Sequence, residues 1–174
     1  MLILVTLLKL IKISKMHLIK IKKKIKKFNK VLSIEGDKSL SIRWALIASQ
    51  SNSKSRSINL LLSEDVINTL KCLRKLGVKV KIFKNVCEIN GVGLNGFKYK
   101  KNITLNAGNS GTLGRLIMGL LTHSKSLVKL KGDKSLSKRD FLRIIKPLKK
   151  FGADFKSNFG RLPITIKGTN NPKP

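Results

Sequence analysis

The strongest constraint on the fold of this chain is an internal repeat. The first half of the sequence predicts strand, helix, strand, helix, strand and strand, and the second half predicts the same order again. Gly36 and Arg43 recur as Gly108 and Arg115, both at an offset of 72 residues. Self-similarity at a steady period indicates duplicated structural units, and small sheet-and-helix units need neighbours to bury their helices. The sequence therefore predicts an α/β protein built from repeated units.

The repeat sets the expected boundaries, with one unit at 31–102 and a second unit at 103–174. In the first unit, Ser39 or Ser41 is expected to cap the opening helix. Apolar residues recur at helical spacing along that helix, which predicts a stripe that faces the core. The residues of this stripe are Leu40, Trp44 and Ile47, with Ala48 as an optional fourth member.

Residues 1–30 are expected to form a separate lead segment with no assured native structure. Ten lysines fall between Lys9 and Lys30, after an apolar start. The segment fits a secretory signal poorly, because no basic region precedes the apolar stretch and no small-residue cleavage site follows it. Two interpretations stay open: an extended or mistranslated start, or a basic amphipathic segment for nucleic acid or a membrane surface, anchored through residues 1–27.

The charge of the chain narrows the class of ligand but does not identify one. Thirty-eight Lys and Arg residues against eight Asp and Glu residues give a net charge of +30. Such a charge attracts polyanions and also steers small anionic substrates. A basic nucleic-acid-binding module is therefore the alternative function. Aromatic residues make up only 5% of the chain, which argues against base-stacking platforms, and no specific nucleic-acid partner is expected.

Cysteine and histidine are too sparse to indicate a metal site. His17 and His123 lie far apart without a cysteine cluster, so a structural zinc site is not expected. Cys72 and Cys87 allow at most one disulfide, which favours a reducing compartment, the cytoplasm. No apolar run approaches the length of a membrane-spanning helix, and none is expected.

Three junctions between a glycine turn and a helix are candidate anion sites. The first reads GDKSLSIR at 36–43 and offers Lys38, Ser39 and Arg43 beside a helix N-terminus, where free N–H groups favour an anion. The alternative is a capped helix with exposed basic residues, and the pattern alone does not choose between them. It is not a Walker A loop, because Asp37 separates the glycine from the lysine.

The second and third junctions lie in the second half of the chain. Asn109-Ser110-Gly111-Thr112 opens a helix, and Gly111 allows a ligand to approach the backbone closely. The alternative there is a plain Asx or Ser/Thr turn. The third junction, GDKSLSKR at 132–139, matches the first at seven of eight positions, although it falls at a different place in its unit.

Six segments, taken together, resemble a known enzyme family. They are GDKSLSIR at 36–43, LLLSEDV at 60–66, LRKLGV at 73–78, AGNSGTLGR at 107–115, GDKSLSKR at 132–139 and GRLPITIKG at 160–168. In order and spacing they are similar to the amino-terminal part of the EPSP synthase family. The resemblance implies the enolpyruvyl transferase fold, an inverted α/β barrel, of which this chain would hold two of the three units of one domain.

The resemblance also implies a reaction and a set of binding residues. Members of the family transfer the enolpyruvyl group of phosphoenolpyruvate to the 5-hydroxyl of shikimate 3-phosphate in chorismate and aromatic amino acid biosynthesis, without metal or organic cofactor. Lys38 would contact both substrates, and Ser39 and Arg43 would hold shikimate 3-phosphate. Phosphoenolpyruvate would be held by Gly111 and Arg139, with Asn109 and Thr112 nearby.

Two further positions match the family, and one large part of it is missing. Arg115 occupies a family arginine position, and Glu64 lies where the family has a carboxylate near the site. The third unit and the second domain, which supplies the carboxylate and lysine used in proton transfer, would be absent. No catalytic residue is therefore assigned in this chain, which is expected to be inactive alone unless a partner chain supplies the missing part.

Overall fold

A computed structural model describes residues 34–124 and 126–173 of the chain. The expected lead segment at 1–30 lies outside these residues, as do residues 31–33, where the first unit is expected to begin. The helices and strands are, in chain order, α1 (Lys38–Ser49), β1 (Lys54–Ile58), α2 (Glu64–Lys75), β2 (Lys79–Phe83), β3 (Val86–Asn90), β4 (Ile103–Asn106), α3 (Gly111–Leu120), β5 (Val128–Lys131), a 3-10 helix (Leu136–Lys138), α4 (Leu142–Lys150), β6 (Asp154–Asn158) and β7 (Arg161–Lys167).

The first half of the described chain forms a small antiparallel sheet with two helices. The strand order is β1-β3-β2, and α1 packs against α2. Helix α2 follows its sequence pattern closely, because Val66, Leu70 and Leu73 recur at helical spacing and are buried. Its first turn is acidic and its last turn is basic, so the side-chain charges oppose the helix dipole and stabilise the helix.

The second half contains a four-stranded mixed sheet in the order β4-β5-β7-β6. Strands β4 and β5 are parallel and are connected through α3, whereas the β5–β7 and β6–β7 pairs are antiparallel. Strand β7 alternates as a half-buried strand should, with Leu162, Ile164 and Ile166 on the buried face. Because β4 and β5 are parallel, their carboxyl ends lie at the same edge of the sheet.

Helix α2 connects the two halves by lying along β4. The thiol of Cys72 is 3.4 Å from the carbonyl oxygen of Asn106, and the Lys75 ammonium donates to the carbonyl of Thr104 at 3.0 Å. The order of these contacts shows that α2 runs antiparallel to β4. The N-terminus of α2 therefore lies at the carboxyl edge of β4 and β5. Residues of both halves contribute to one hydrophobic core. The domain boundary expected between residues 102 and 103 stays a prediction.

The expected cap of α1 is wrong. Neither Ser39 nor Ser41 is the capping residue; Asp37 caps the helix, and its carboxylate accepts a hydrogen bond from the Leu40 N–H at 2.7 Å. Aspartate performs the same task as serine at this position, since its side-chain oxygen satisfies a free N–H of the first turn. Ser41 is instead buried, and its hydroxyl accepts from the Leu61 N–H at 3.2 Å.

The expected buried face of α1 is wrong at two of its four positions, whereas Ala48 is buried and Trp44 packs against the core. Leu40 is 65% exposed and Ile47 is 73% exposed. The helix packs through a second stripe, at spacings of three, four and seven residues, that contains Ile42, Ala45, Leu46 and Ser49. The small Ala45 and Ser49 side chains allow close approach to the neighbouring elements. In the part of the chain that the structure describes, no helix has the length and apolarity needed to cross a membrane.

Candidate functional site

A polar cavity of about 410 Å³ lies at the carboxyl edge of β4 and β5. This volume is within the usual range for small-molecule sites, roughly 300–1,000 Å³. The cavity contains five of the seven residues that the sequence assigns to substrate binding. The lining residues are Lys38, Glu64, Asp65, Asn109, Gly111, Thr112, Arg115 and Arg139.

The loops that follow β4 and β5 meet at this edge and are hydrogen-bonded to each other. The Ala107 N–H donates to the carbonyl of Lys131 at 2.8 Å, and the Asp133 N–H donates to the carbonyl of Gly108 at 2.8 Å. Gly108 has a φ of +57°, and a Cβ at this position would collide with the side-chain amide of Asn68 on α2. Glycine suits this position because it tolerates the left-handed backbone and leaves room for the Asn68 side chain of α2.

Helix α3 begins at the cavity and directs its free N–H groups toward it. The Ser110 hydroxyl caps the helix and accepts from the Leu113 N–H at 3.2 Å. Gly111, the first helical residue, lies between two guanidinium groups. A Cβ on Gly111 would be 2.8 Å from Nη1 of Arg115 and 3.0 Å from Nη1 of Arg139. The glycine therefore lets both cations lie against a helix N-terminus, an arrangement that favours anions.

Each of the three cations in the cavity is held by one protein acceptor. Arg115 Nη1 donates to the carbonyl of Gly111 at 3.1 Å, and Arg139 Nη2 donates to Asn109 Oδ1 at 3.0 Å. The Lys38 ammonium pairs with Asp65 at 3.2 Å. A guanidinium has five N–H donors and an ammonium has three, so all three cations keep donors that can bind a ligand.

Arg115 is the most enclosed of these cations. Its guanidinium carbon is 5.8 Å from the centre of the Phe141 ring, within the range of a cation–π contact. Its Nε is buried and has no hydrogen-bond partner among the described residues. An unpaired buried donor is costly, about 1–3 kcal/mol. The sequence analysis recognised Arg115 as a family position but did not name it as a binding residue.

Two carboxylates share the cavity with the cations. Glu64 and Asp65 form the acidic first turn of α2 and line the cavity opposite the α3 N-terminus. The whole chain has only eight acidic residues, so two of them in one cavity is a marked concentration. Three cations against two carboxylates leave a modest positive balance, which suits a ligand that carries both anionic groups and hydroxyls. Asp65 was not predicted as a site residue, although its place in the first turn beside Glu64 was the available signal.

The structure does not bring Ser39 and Arg43 to this cavity. Arg43 is exposed and borders a second cavity of about 320 Å³ between α1 and α3. Ser39 is half-buried and is not among the residues that line either cavity. Their assignment to shikimate 3-phosphate stays a prediction.

A buried cysteine packs between α2 and β4. Cys72 lies on α2, and its thiol faces the carbonyl of Asn106. Burial raises the pKa of this thiol to about 11, which favours the protonated form at neutral pH. Among the described residues that line the cavity there is no cysteine.

Comparison with known proteins finds one recurring family. The sequence model of the family "EPSP synthase (3-phosphoshikimate 1-carboxyvinyltransferase)" matches residues 22–173. A 3-phosphoshikimate 1-carboxyvinyltransferase of Ruthia magnifica subsp. Calyptogena magnifica is 45% identical over 137 residues, which are 79% of this chain and 31% of the relative. One from Streptococcus suis (strain 98HAH33) is 38% identical over 157 residues, which are 89% of this chain and 37% of the relative.

A solved structure of EPSP synthase from Acinetobacter baumannii is also similar, with a TM-score of 0.73 and 36% identity over 79% of this chain and 31% of that chain. The expected enolpyruvyl transferase fold is confirmed. These matches give no support to the nucleic-acid-binding alternative. The chain spans about a third of the length of the curated relatives described above. On the family match, the sequence identities and the shared fold, the chain belongs to the EPSP synthase family.

Proposed function

We propose that this chain is part of an EPSP synthase and binds phosphoenolpyruvate in the cavity at the carboxyl edge of β4 and β5. In the reaction, the 5-hydroxyl of shikimate 3-phosphate adds to phosphoenolpyruvate. Elimination of inorganic phosphate then leaves the enolpyruvyl group on the 5-oxygen. Both substrates are small and multiply anionic, which is the class of ligand that this cavity suits.

One observation carries the proposal. Lys38, Arg115 and Arg139 come from three separate parts of the chain and meet beside the N-terminus of α3. Phosphoenolpyruvate has a carboxylate and a phosphate, and a planar guanidinium can bind either group with two parallel hydrogen bonds. Fixed cations near the phosphate would also stabilise the negative charge that develops on this leaving group.

Shikimate 3-phosphate is assigned to the neighbouring surface of α1. Lys38 would contact both substrates, and Ser39 and Arg43 would extend the cationic surface away from the cavity. Ser39 is one residue beyond Lys38, and Arg43 is one helical turn beyond Ser39. The two ligands would then lie side by side across the first turn of α1.

We further propose that another polypeptide, equivalent to the remainder of the family enzyme, completes the site. The second cavity, between α1 and α3, supports this proposal, because it is apolar and open. Ile47 is 73% exposed and Leu116 is 40% exposed there, and Leu46 and Leu120 line the same cavity. An apolar surface of this kind marks an interaction site. The proton-transfer groups would come from the added polypeptide.

The cytoplasm is the proposed location of this reaction. Cys72 and Cys87 are free thiols and both are buried, as expected of a chain that folds in a reducing compartment.

Reconstitution tests the proposed function. The chain is co-expressed with a polypeptide that supplies the missing units, and phosphate release from phosphoenolpyruvate and shikimate 3-phosphate is measured. We expect release in the parent complex. We expect Lys38→Ala or Arg139→Ala to lower kcat/KM about 100-fold, because each removes a charged contact to the substrates. Lys134→Ala is the matched control and should resemble the parent. A well-folded complex that releases no phosphate would overturn the proposal.

A further inference from the structure

We propose that Asp65 is a positioning residue for Lys38: its carboxylate fixes the lysine ammonium at the cavity so that an anionic ligand meets a preorganised cation. The inference deepens the proposed function and rests on it for the identity of the ligand. The contact itself is the 3.2 Å ion pair between Lys38 Nζ and Asp65 Oδ2.

The two partners differ in how firmly the fold holds them. The Asp65 side chain is only 19% exposed. It lies in the first turn of α2, where the helix dipole favours a negative charge. The carbonyl of Asp65 also accepts a hydrogen bond from the Thr69 hydroxyl at 2.9 Å. Lys38 is 51% exposed and has a flexible four-carbon stem. Asp65 is therefore the fixed member of the pair, and Lys38 is the member that gains a defined position.

The two arginines of the cavity need no such partner. Arg139 is held by the neutral side-chain amide of Asn109, and Arg115 by the carbonyl of Gly111. A planar guanidinium is already preorganised, whereas an ammonium on a long stem loses more freedom when it binds. A charged acceptor compensates for that loss. One donor to Asp65 leaves two ammonium donors for a ligand.

Acidic partners for lysine are scarce in this chain, so the ion pair of Lys38 with Asp65 is an uncommon contact. Cations outnumber carboxylates by 38 to 8, so few lysines can have an acidic partner. The described residues contain one other ion pair, between Lys54 and Glu88 at 3.6 Å, and it is more exposed on both sides. That pair lies between neighbouring strands of the first sheet and away from the cavity, which makes it a matched control.

Lysine side-chain NMR tests the positioning directly. The full chain is labelled with ¹⁵N-lysine, and the Lys38→Arg variant identifies the Lys38 ammonium signal. We expect this signal to show restricted motion in the parent, free motion in Asp65→Asn and restored restriction in Asp65→Glu. Glu88→Gln should leave the Lys38 signal unchanged. A Lys38 ammonium that is equally mobile in the parent and in Asp65→Asn would overturn the proposal.

A phosphoenolpyruvate titration then tests how the loss of Lys38 positioning changes ligand affinity. The two possible roles of Asp65 predict affinity changes in opposite directions. Removal of a carboxylate should strengthen anion binding if Asp65 contributes charge alone. We expect Asp65→Asn to weaken binding about fivefold instead, since Lys38 loses its position. In the Lys38→Ala background the same substitution should not weaken binding. An equal strengthening in both backgrounds would overturn the inference.

The two experiments also separate this inference from the proposed function. If the parent chain binds no phosphoenolpyruvate, the proposed binding of phosphoenolpyruvate in this cavity fails, and the lysine spectra still decide whether Asp65 positions Lys38. Thermal unfolding of each variant establishes that the fold is intact before either measurement is interpreted.

Discussion

Two octapeptides in this chain have almost the same sequence, but they adopt different conformations and contribute different residues to the cavity. GDKSLSIR at 36–43 and GDKSLSKR at 132–139 differ only in Ile42 against Lys138. Both begin with the same local structure, since Asp37 accepts from the Leu40 N–H at 2.7 Å and Asp133 accepts from the Leu136 N–H at 2.6 Å. The shared sequence therefore forms the same hydrogen bond, from the leucine N–H to the aspartate carboxylate, in both places.

After this shared hydrogen bond the backbone conformations of the two segments diverge. The first continues into α1, a helix of 12 residues, whereas the second forms a 3-10 helix of three residues and becomes extended at Arg139. The leucine at the fifth position is 65% exposed in the first segment, as Leu40, and fully buried in the second, as Leu136. Packing against the rest of the protein, and not the local sequence, decides the face that is buried.

The divergence also determines what each segment contributes to the cavity. The first provides Lys38 from its third position, and the second provides Arg139 from its eighth. One short sequence thus supplies two different cations to one site, because each copy enters it in a different conformation.

Exchange of the differing residue has the largest expected effect. Ile42 is fully buried, so Ile42→Lys, which makes the two octapeptides identical, places an unpaired charge in the core and should cost about 4 kcal/mol or more. Lys138 is exposed, so Lys138→Ile should change stability by about 0.5 kcal/mol or less. Urea denaturation of the full chain measures both. Equal effects would show that the seventh position does not separate the two segments.

Truncation of the leucine at the fifth position comes next. Leu136→Ala should destabilise the chain by about 2–5 kcal/mol, because it leaves a cavity in the core. Leu40→Ala should cost about 0.5 kcal/mol or less, as for an exposed site. The same chemical change at matched positions makes this a direct comparison by urea denaturation. A larger loss for Leu40→Ala would contradict the burial described above.

Removal of the cations tests the functional difference between the segments. Arg139→Ala should weaken phosphoenolpyruvate binding at least about tenfold, since a charged hydrogen bond contributes about 1.5–3 kcal/mol. Lys134→Ala, at the position equivalent to Lys38, should have little effect because Lys134 does not line the cavity. Isothermal titration at constant ionic strength measures both affinities. Similar losses for the two variants would indicate a general charge effect.

Removal of the second-position aspartates should give the smallest losses of stability, and the two losses should be similar. Asp37→Ala and Asp133→Ala each remove one side-chain acceptor from a turn, and each should cost about 1 kcal/mol. Thermal unfolding of the two variants should give nearly equal shifts. A large difference would show that the common sequence does not form the same local structure.

The sequence predicted more of the site than of the helix packing. Lys38, Gly111 and Arg139 were found because glycine turns and basic residues at helix starts are local signals, and because the spacing resembles a family. The contact of Lys38 with Asp65 was not predictable, since it spans 27 residues and depends on how α1 packs against α2.

The prediction of the buried face of α1 was wrong at Leu40 and Ile47 for a related reason. Two stripes have helical spacing in this helix, one with Leu40 and Ile47 and one with Ile42 and Ala45. Hydrophobicity favours the first stripe, but the neighbouring elements pack against the second, which has the smaller side chains. A sequence without its tertiary contacts cannot choose between two such stripes.

Arginine side-chain NMR distinguishes joint binding of one phosphoenolpyruvate by Arg115, Arg139 and Lys38 from a general attraction of anions to the chain. The chain has only seven arginines, so their ¹⁵Nε signals can be followed individually during a titration at constant ionic strength. We expect the Arg115 and Arg139 signals to shift with a single Kd, while those of Arg56 and Arg161 stay in place. Shifts that are the same for all exposed arginines, with Arg115 unchanged, would contradict joint binding.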